Sequence, residues 1–202
     1  MELQDAIRAR HMVRAFSPEP LDPEALDGLL DLARRAPSAG NTAAAGFVVL
    51  DRPELVARYW DVTLPGSTAE GKRAGFRWQQ LLDAPALVLV TTEPGRYLDR
   101  YSEPDKQRTG RGDGPERWPV PYWWVDVGTV IQNLLLLATD ADLGACLFGP
   151  FDHEPSIKNE FDIPEPVRIA ATIALGRPLP DQPGRSAARG RAPRSAVITR
   201  PD

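Results

Sequence analysis

Residues 125–141 read VDVGTVIQNLLLLATDA and form the most apolar segment of the chain. In a helix, apolar side chains would cover nearly every face of this segment: Val130, Ile131, Leu134, Leu135, Leu136, Leu137 and Ala138. A helix that is apolar all round is buried in a core or in an interface. A membrane span needs about 20 predominantly apolar residues, and polar side chains interrupt this run at Asp126, Gln132, Asn133 and Asp140. We therefore predict a buried helix over residues 125–141 and no membrane span.

Helix and strand patterns alternate on both sides of this segment. Asp22 suits an N-cap and Pro23 the first helical position. Apolar residues then recur at helical spacing until Pro37 ends the helix: Leu26, Leu29, Leu30 and Ala33. We predict further helices over residues 3–10, 54–60, 76–82 and 156–161, and buried strands over residues 46–50, 86–92, 145–148 and 168–175. The alternation predicts one α+β or α/β sheet domain over residues 1–202.

Residues 93–121 have a different character from the segments around them. They are rich in proline, glycine and charge, and they show no sustained apolar period. A loop of this length inside a compact domain is usually either functional or disordered. Two interpretations therefore stay open: a disordered surface excursion, or a lid or specificity loop over a pocket. In the second, Tyr97, Tyr101 and Trp118 would supply the apolar contacts.

Composition excludes several classes of protein. The net charge is −4 and the isoelectric point is about 5.3, which argues against a general nucleic-acid binder. Cys146 is the only cysteine, so an internal disulfide is excluded, and the two histidines, His11 and His153, make a structural zinc site a poor expectation. The N-terminus lacks the apolar region of a signal peptide. We expect a cytoplasmic protein that binds neither nucleic acid nor a membrane.

Three clusters of polar residues are candidates for ligand binding. The first follows the first predicted helix and holds Arg8, Arg10, His11 and Arg14. The second is the turn of small residues 36–42, which can offer hydroxyl, amide and backbone groups to a polar ligand. The third is the basic C-terminal extension, residues 179–202, in which arginines suited to phosphate recur. Each cluster has a plainer interpretation: a solvated helix face, an ordinary turn and a disordered arm, respectively.

Six short motifs occur in an order that narrows the choice. They are Arg10-His-Met-Val-Arg14-Ala-Phe16, Ala36-Pro-Ser-Ala-Gly-Asn41, Leu82-Asp-Ala-Pro85, Asp142-Leu-Gly-Ala145, Ala174-Leu-Gly-Arg-Pro178 and Arg189-Gly-Arg191-Ala-Pro193. With these motifs, essentially the whole chain resembles the nitroreductase-like family of FMN-dependent oxidoreductases. The resemblance implies an α+β fold: a three-layer sandwich with a central mixed or antiparallel sheet flanked by helices. It also implies a homodimer with the long central helix at its interface.

The resemblance further assigns FMN contacts to four parts of this chain. In the family, two FMN molecules sit at the subunit interface, and each is touched by both chains. The segment after the first helix would meet the phosphate, the ribityl chain or the pyrimidine edge; the serine–asparagine turn would reach the FMN of the other subunit. The segment after the central helix would line the ring, and the C-terminal pair would bind the phosphate. In that order, the residues are Arg10, His11, Met12 and Arg14; Ser38 and Asn41; Leu147, Phe148 and Gly149; Arg189 and Arg191.

One backbone group and one side chain are expected near the flavin ring. A backbone N–H is expected near N5, and Gly149 is the candidate because Pro150 has no N–H. Gln80 occupies a position where the family often has a lysine facing N1 and O2. A glutamine donates a hydrogen bond there without a charge, and should stabilise anionic reduced flavin less.

The chain also departs from the family pattern at other positions. Met12 stands where a serine is common, so one side-chain hydrogen bond would be missing. Asn41 is followed by Thr-Ala-Ala-Ala instead of Gln-Pro-Trp, which would reshape the pocket. Trp123 and Trp124, just before the central helix, are either core or interface anchors or part of the substrate site.

The activity implied by the resemblance is an oxidoreductase that uses NADPH or NADH. Reduced nicotinamide would deliver hydride to flavin N5 and leave, and an electron-poor acceptor of the nitroaromatic or quinone class would then be reduced at the same place. Such ping-pong chemistry belongs to the cofactor, so no catalytic side chain is named. Two alternatives stay open: the same fold with specialised chemistry, such as dehydrogenation of a peptide-like product, dehalogenation or flavin fragmentation, and a non-catalytic FMN-binding module.

Overall fold

Four strands form one antiparallel sheet at the centre of the molecule. The structure, a computed structural model, describes residues 1–64, 73, 75–180, 184 and 189–201. The strands are β1 (Gly46–Leu50), β2 (Ala86–Thr92), β3 (Gly144–Phe148) and β4 (Arg168–Gly176). Their order in the sheet is β1-β2-β4-β3, and every neighbouring pair is antiparallel. Strand β3 is therefore at an edge of the sheet, next to β4.

Helices cover both faces of this sheet. In chain order they are α1 (Leu3–Ala9), α2 (Pro23–Ala33), α3 (Pro53–Thr63), α4 (Pro94–Ser102), α5 (Tyr122–Asp140) and α6 (Glu154–Glu160). No helix in the described ranges is both long and apolar enough to cross a bilayer.

The side chains of β2 show how the layers are stacked. Successive residues of a strand point to opposite faces, and all of β2 is buried. Leu87 and Leu89 join a core with residues of α3 and α6, whereas Val88 and Val90 join a second core with residues of α2 and α5. The molecule is thus a three-layer sandwich of helices, sheet and helices, which confirms the predicted α+β class.

Helix α5 is longer than predicted at its N-terminus. It begins at Tyr122, three residues before the predicted start at Val125, and Trp123 is buried against Tyr97 and Trp118. Trp124 is partly exposed and lies under the Arg168 guanidinium. Trp123 is therefore a core residue. Its partners Tyr97 and Trp118 lie in another segment of the chain, so the sequence pattern alone does not reveal the cluster.

The prediction of a helix over residues 76–82 was wrong, and residues 93–121 hold elements that were not predicted. Within residues 76–82 only a single 3-10 turn forms, Gln79–Leu81, since the Gln79 side chain bonds the main chain of Arg73 and Phe76 in place of a helical turn. Within residues 93–121, where the sequence shows no sustained apolar period, the structure forms helix α4 and three 3-10 turns, and a role as a lid or specificity loop stays a prediction. Tyr97 of α4 is fully buried, so tertiary packing stabilises a helix that has few apolar residues.

Candidate functional site

The segment after α1 runs along the free edge of β3. The Val13 N–H donates to the Ala145 carbonyl oxygen at 2.9 Å. The Leu147 N–H donates to the Met12 sulfur at 3.3 Å. Met12 thus covers a strand-edge donor. The pairing brings Arg14 beside the end of β3, where Leu147 and the two residues after it lie.

A cavity of about 300 Å3 opens at this end of β3. Four predicted site residues line it: Arg14, Leu147, Phe148 and Gly149. Its other walls are largely aromatic or apolar: Tyr59, Trp60, Thr63, Leu64, Phe76, Trp78, Leu81, Cys146, Pro150 and His153. The Phe148 ring stacks on Trp60 with 5.7 Å between the ring centroids. The structure therefore joins the segment after the first helix to the segment after the central helix around one aromatic space.

The polar groups at this cavity include a cation and backbone and hydroxyl donors. The Arg14 guanidinium lies 5.1 Å from the Trp78 ring centroid and donates to the Met12 carbonyl oxygen at 3.3 Å. In the described part of the chain, the Gly149 N–H donates no hydrogen bond. Burial raises the pKa of Tyr59 to about 12, so its hydroxyl stays protonated beside Thr172 Oγ1, 2.8 Å away. The cavity can hold a planar apolar group with an anion nearby.

The C-terminal segment approaches Arg14 at one described residue. A Cβ atom placed on Gly184 would lie 3.2 Å from Arg14 Nη1, so the main chain there lies directly against the guanidinium. Arg189 and Arg191 are both exposed, and neither lines the cavity. Their convergence with Arg10 and Arg14 on one phosphate stays a prediction. Arg185, together with residues 181–183 and 186–188, lies outside the described part.

Three other predicted residues lie near the segment after α1. Arg10 follows α1 and is half-buried, and His11 is exposed, with its Nδ1 2.9 Å from the Ala9 carbonyl oxygen. Gln80 is exposed, and its carbonyl oxygen accepts from the Phe16 N–H at 3.2 Å. The main chain of Gln80 is thereby held next to the Arg14 segment, while contact of its side chain with a flavin stays a prediction.

The serine–asparagine turn lies elsewhere, on α4 and α5. Ser38 Oγ accepts from the Ala43 N–H at 2.9 Å, and Asn41 is exposed in a left-handed conformation with φ 57°. Of the described residues, neither Ser38 nor Asn41 is among those that line the cavity of their own chain. The assignment of this turn to the FMN of a second subunit is compatible with that separation and stays a prediction.

Sequence reasoning missed several residues at these places. Three aromatic residues that line the cavity belong to none of the sequence motifs: Tyr59, Trp60 and Trp78. Asp126 is 7% exposed and accepts a hydrogen bond from the Ala39 N–H of the turn at 2.7 Å. A signal for it existed, because Asp126 is an acid inside the most apolar segment of the chain. His153 is exposed and borders the cavity.

Comparisons with known proteins agree on one family. A sequence model described as the Nitroreductase family matches residues 7–177. A protein of Methanothermobacter thermautotrophicus named "Putative NADH dehydrogenase/NAD(P)H nitroreductase" is 27% identical over 188 residues, which cover 91% of this chain and 81% of that protein.

Solved structures share the fold. A nitroreductase family protein from Streptococcus pneumoniae superimposes with a TM-score of 0.72 at 18% identity, over 99% of this chain and 100% of that one. A nitroreductase family protein from Clostridium novyi gives a TM-score of 0.66 at 23% identity, over 89% and 86% of the two chains.

Proposed function

Because this chain belongs to the nitroreductase family, we propose that it is an FMN-dependent oxidoreductase that uses reduced nicotinamide to reduce an electron-poor acceptor. The observation that carries the proposal is the cavity at the end of β3, where Arg14 and residues 147–149 meet inside aromatic walls. The use of a reduced nicotinamide as the electron donor is supported by the name of the Methanothermobacter thermautotrophicus relative. We expect the acceptor to be a nitroaromatic or a quinone.

The residues present fit an FMN molecule, which combines a planar ring system with a phosphate. The aromatic and aliphatic walls suit the ring, Arg14 supplies a cation, and the Gly149 N–H is a donor without a partner in the described part of the chain. When bound, FMN supplies the hydride-transfer chemistry. The chain's own residues bind and orient it, and the cavity walls exclude water from its surface.

Four groups of residues would hold the cofactor. We assign Leu147, Phe148 and Gly149 to the ring, with Gln80 at its polar edge. The phosphate and ribityl chain fall to Arg10, His11, Met12, Arg14, Arg189 and Arg191. Met12 contributes its main chain here, because its sulfur already accepts from the Leu147 N–H. Ser38 and Asn41 would reach the FMN of a second copy of the chain, so the proposed functional unit is a homodimer.

No side chain needs to act as an acid or base in this proposal. Tyr59 is a tyrosine among the described residues of the cavity wall, and burial raises the pKa of its hydroxyl to about 12, further from neutral pH than its ordinary value. It is also engaged with Thr172. The protein's part in the proposed reaction is therefore to bind and orient the cofactor and its two substrates.

The test is an absorption spectrum of the purified protein, followed by anaerobic titration with NADPH and with NADH. We expect a yellow protein whose flavin absorption is bleached within minutes by at least one nicotinamide and restored by a quinone. A colourless protein that ignores added FMN contradicts the flavin. Bound flavin that neither nicotinamide bleaches contradicts the reductase and favours specialised flavin chemistry or a binding module.

A pair of arginine variants tests the site within the same experiment. Arg14→Ala should weaken FMN binding by about 1.5–3 kcal/mol, because a hydrogen bond to a charged group contributes that much. Arg52→Ala is the matched control, since Arg52 is an exposed arginine that pairs with Glu54 outside the cavity. Equal FMN affinity in the two variants would show that Arg14 does not contact the cofactor.

A further inference from the structure

The turn that contains Ser38 and Asn41 is held by hydrogen bonds to two of its peptide groups. The Ala39 N–H donates to Asp126 Oδ2 at 2.7 Å. The Gly40 carbonyl oxygen accepts from Arg100 Nε at 2.8 Å. A carboxylate from α5 thus holds a donor of the turn, and a guanidinium from α4 holds an acceptor. Both contacts are charge-assisted, so they are stronger than hydrogen bonds between neutral groups.

Asp126 is built into the core rather than placed at the surface. It is 7% exposed, and its Oδ2 also accepts from the Tyr97 hydroxyl at 2.9 Å. Burial raises the pKa of Tyr97, and the Asp126 hydrogen bond and charge raise it further, so the phenol stays a donor at neutral pH. A buried carboxylate is costly unless hydrogen bonds satisfy it. Moving Ala39 away would remove one of these two donors, so the carboxylate opposes displacement of the turn.

Arg100 is aimed at the turn by other carboxylates. Its two terminal nitrogens donate to Asp105 at 2.7 and 2.8 Å, and one of them also donates to Glu103 at 3.0 Å. These contacts fix the plane of the guanidinium and leave Nε directed at the Gly40 carbonyl oxygen. The Arg100 side chain is 21% exposed, so most of its surface lies against protein.

Close packing removes the remaining freedom of the turn. Gly40 has φ 65°, and a Cβ atom there would lie 2.8 Å from Tyr101 Cε2, so only glycine fits between the main chain and this ring. Ala39 and Ala44 pack against the cluster of Tyr97, Trp118 and Trp123. Side chains from residues 94–118, most of them on α4, therefore pack against the turn and support it.

We propose that Asp126 and Arg100 are positioning residues that set the Ser38–Asn41 turn for FMN binding, with α4 as their support. The inference rests on the proposed function, in which Ser38 and Asn41 contact the cofactor of a second subunit. In this proposal, residues 94–118 affect FMN binding by holding the turn in place, and this role is separate from any role as a lid. Neither Asp126 nor Arg100 is predicted to touch FMN itself.

The first test compares Asp126→Asn with Glu154→Gln. The two variants are matched, because Glu154 is also a carboxylate that accepts from a backbone N–H, that of Ile169 at 2.9 Å, but in another part of the fold. Three measurements are made on each protein: hydrogen exchange of a peptide spanning residues 36–44 in the apoprotein, FMN dissociation constant by fluorescence titration, and urea unfolding. Circular dichroism of the bound flavin adds a signature that global stability does not move.

We expect Asp126→Asn to speed exchange in residues 36–44, to weaken FMN binding about tenfold, the equivalent of one charge-assisted hydrogen bond, and to change the flavin circular dichroism. Glu154→Gln should leave exchange in that peptide, FMN affinity and flavin circular dichroism as in the wild type. Arg100→Lys keeps the charge but loses the directed Nε donor, and it lies nearer the surface. It should speed exchange in the same peptide even if Asp126→Asn fails to fold.

The outcomes separate this inference from the proposed function. Unchanged exchange in residues 36–44 in the folded variants would overturn the positioning role. Faster exchange with unchanged FMN affinity would overturn the link between the turn and the cofactor. If the wild-type protein binds no FMN at all, the proposed function fails, and the exchange comparison still decides whether Asp126 and Arg100 hold the turn.

Discussion

Glu154 joins helix α6 to the start of β4 through three hydrogen bonds. Its two carboxylate oxygens accept from the two Arg168 nitrogens, each at 2.9 Å, and one of them also accepts from the Ile169 N–H. The Arg168 hydrogen bonds lower the pKa of Glu154, against the opposing effect of partial burial. Arg168 is about half exposed, so solvent screens the pair and its contribution to stability is modest.

We predict that Glu154→Gln lowers the free energy of unfolding by about 1 kcal/mol at pH 7. Since the folded-state pKa of Glu154 lies below its unfolded value, the stabilisation is complete above about pH 4.5 and is lost as the pH falls through the folded value. Urea unfolding of both proteins at pH 7 and at pH 3 measures this. A difference of equal size at the two pH values would contradict the assignment.

Single residues also show which roles are visible in a sequence. Cys146 was predicted to be a buried apolar residue of a strand, and it is buried in β3. Met12 was seen only as a missing serine, whereas in the structure its sulfur accepts a hydrogen bond from Leu147. The first role follows from the apolar neighbours of Cys146 in the chain. The second depends on a residue 135 positions away, so no local pattern could contain it.

At the scale of elements, the start of helix α2 was predicted correctly, whereas its end at Ala33 comes before the predicted stop at Pro37. Asp22 is its N-cap, with Oδ1 accepting from the Glu24 N–H at 3.1 Å, and Pro23 is its first residue. The buried residues of α2 are Leu26, Leu30 and Ala33, which belong to the predicted apolar stripe. These features are local, since a cap and a stripe are both written within one or two turns of the chain.

We predict that Asp22→Ala lowers the free energy of unfolding by about 1 kcal/mol, the usual contribution of an N-cap side chain. The control is Glu2→Ala, because Glu2 is the N-cap of α1 but makes no side-chain capping hydrogen bond. Thermal or urea unfolding of the two variants should therefore separate them. Equal losses of stability would mean that the Asp22 side chain does not act as a cap.

Helix α4 shows why other elements escaped prediction. Its sequence is mostly polar, and its stability depends on contacts of Tyr97 with Trp118, Trp123 and Asp126. Residues 76–82 show the opposite error, since a helix was predicted from their apolar spacing and does not form. The Gln79 side chain donates hydrogen bonds to the carbonyl oxygens of Arg73 and Phe76 instead. In both cases side-chain contacts outweigh the intrinsic preference of the segment.

At the scale of the whole molecule, apolar side chains remain exposed along a groove between α1, α2 and α5. Leu3 of α1 is 65% exposed, Leu32 of α2 is 49% exposed, and both line a surface groove with Leu136 and Leu137 of α5. Val125, near the start of α5, is also exposed. Contiguous exposed apolar surface marks an interaction site. This surface supports the proposal that the long helix packs against a second copy of the chain.

We predict that the protein sediments as a species of twice 22.2 kDa at micromolar concentration. If each FMN contacts both chains, binding of the cofactor and association of the chains are linked, so dilution of the holoprotein should release FMN as dimers dissociate. Sedimentation and flavin fluorescence, followed across one dilution series, measure the two processes together. A monomer that keeps its FMN would contradict the shared site.

Patterns along the chain were sufficient for a sheet domain of the α+β or α/β class, for the four strands and for the core of the central helix, because the periodicity of buried side chains is a local property. The resemblance then selected the residues around Arg14 and residues 147–149, which the fold does bring together. Three features were visible only in the folded molecule: the aromatic walls of the cavity, the hydrogen bond from Leu147 to the Met12 sulfur, and the hydrogen bond from the Ala39 N–H of the turn to Asp126. Asp126 and Ala39 are 87 residues apart, and contacts over such distances form when separate elements pack against each other.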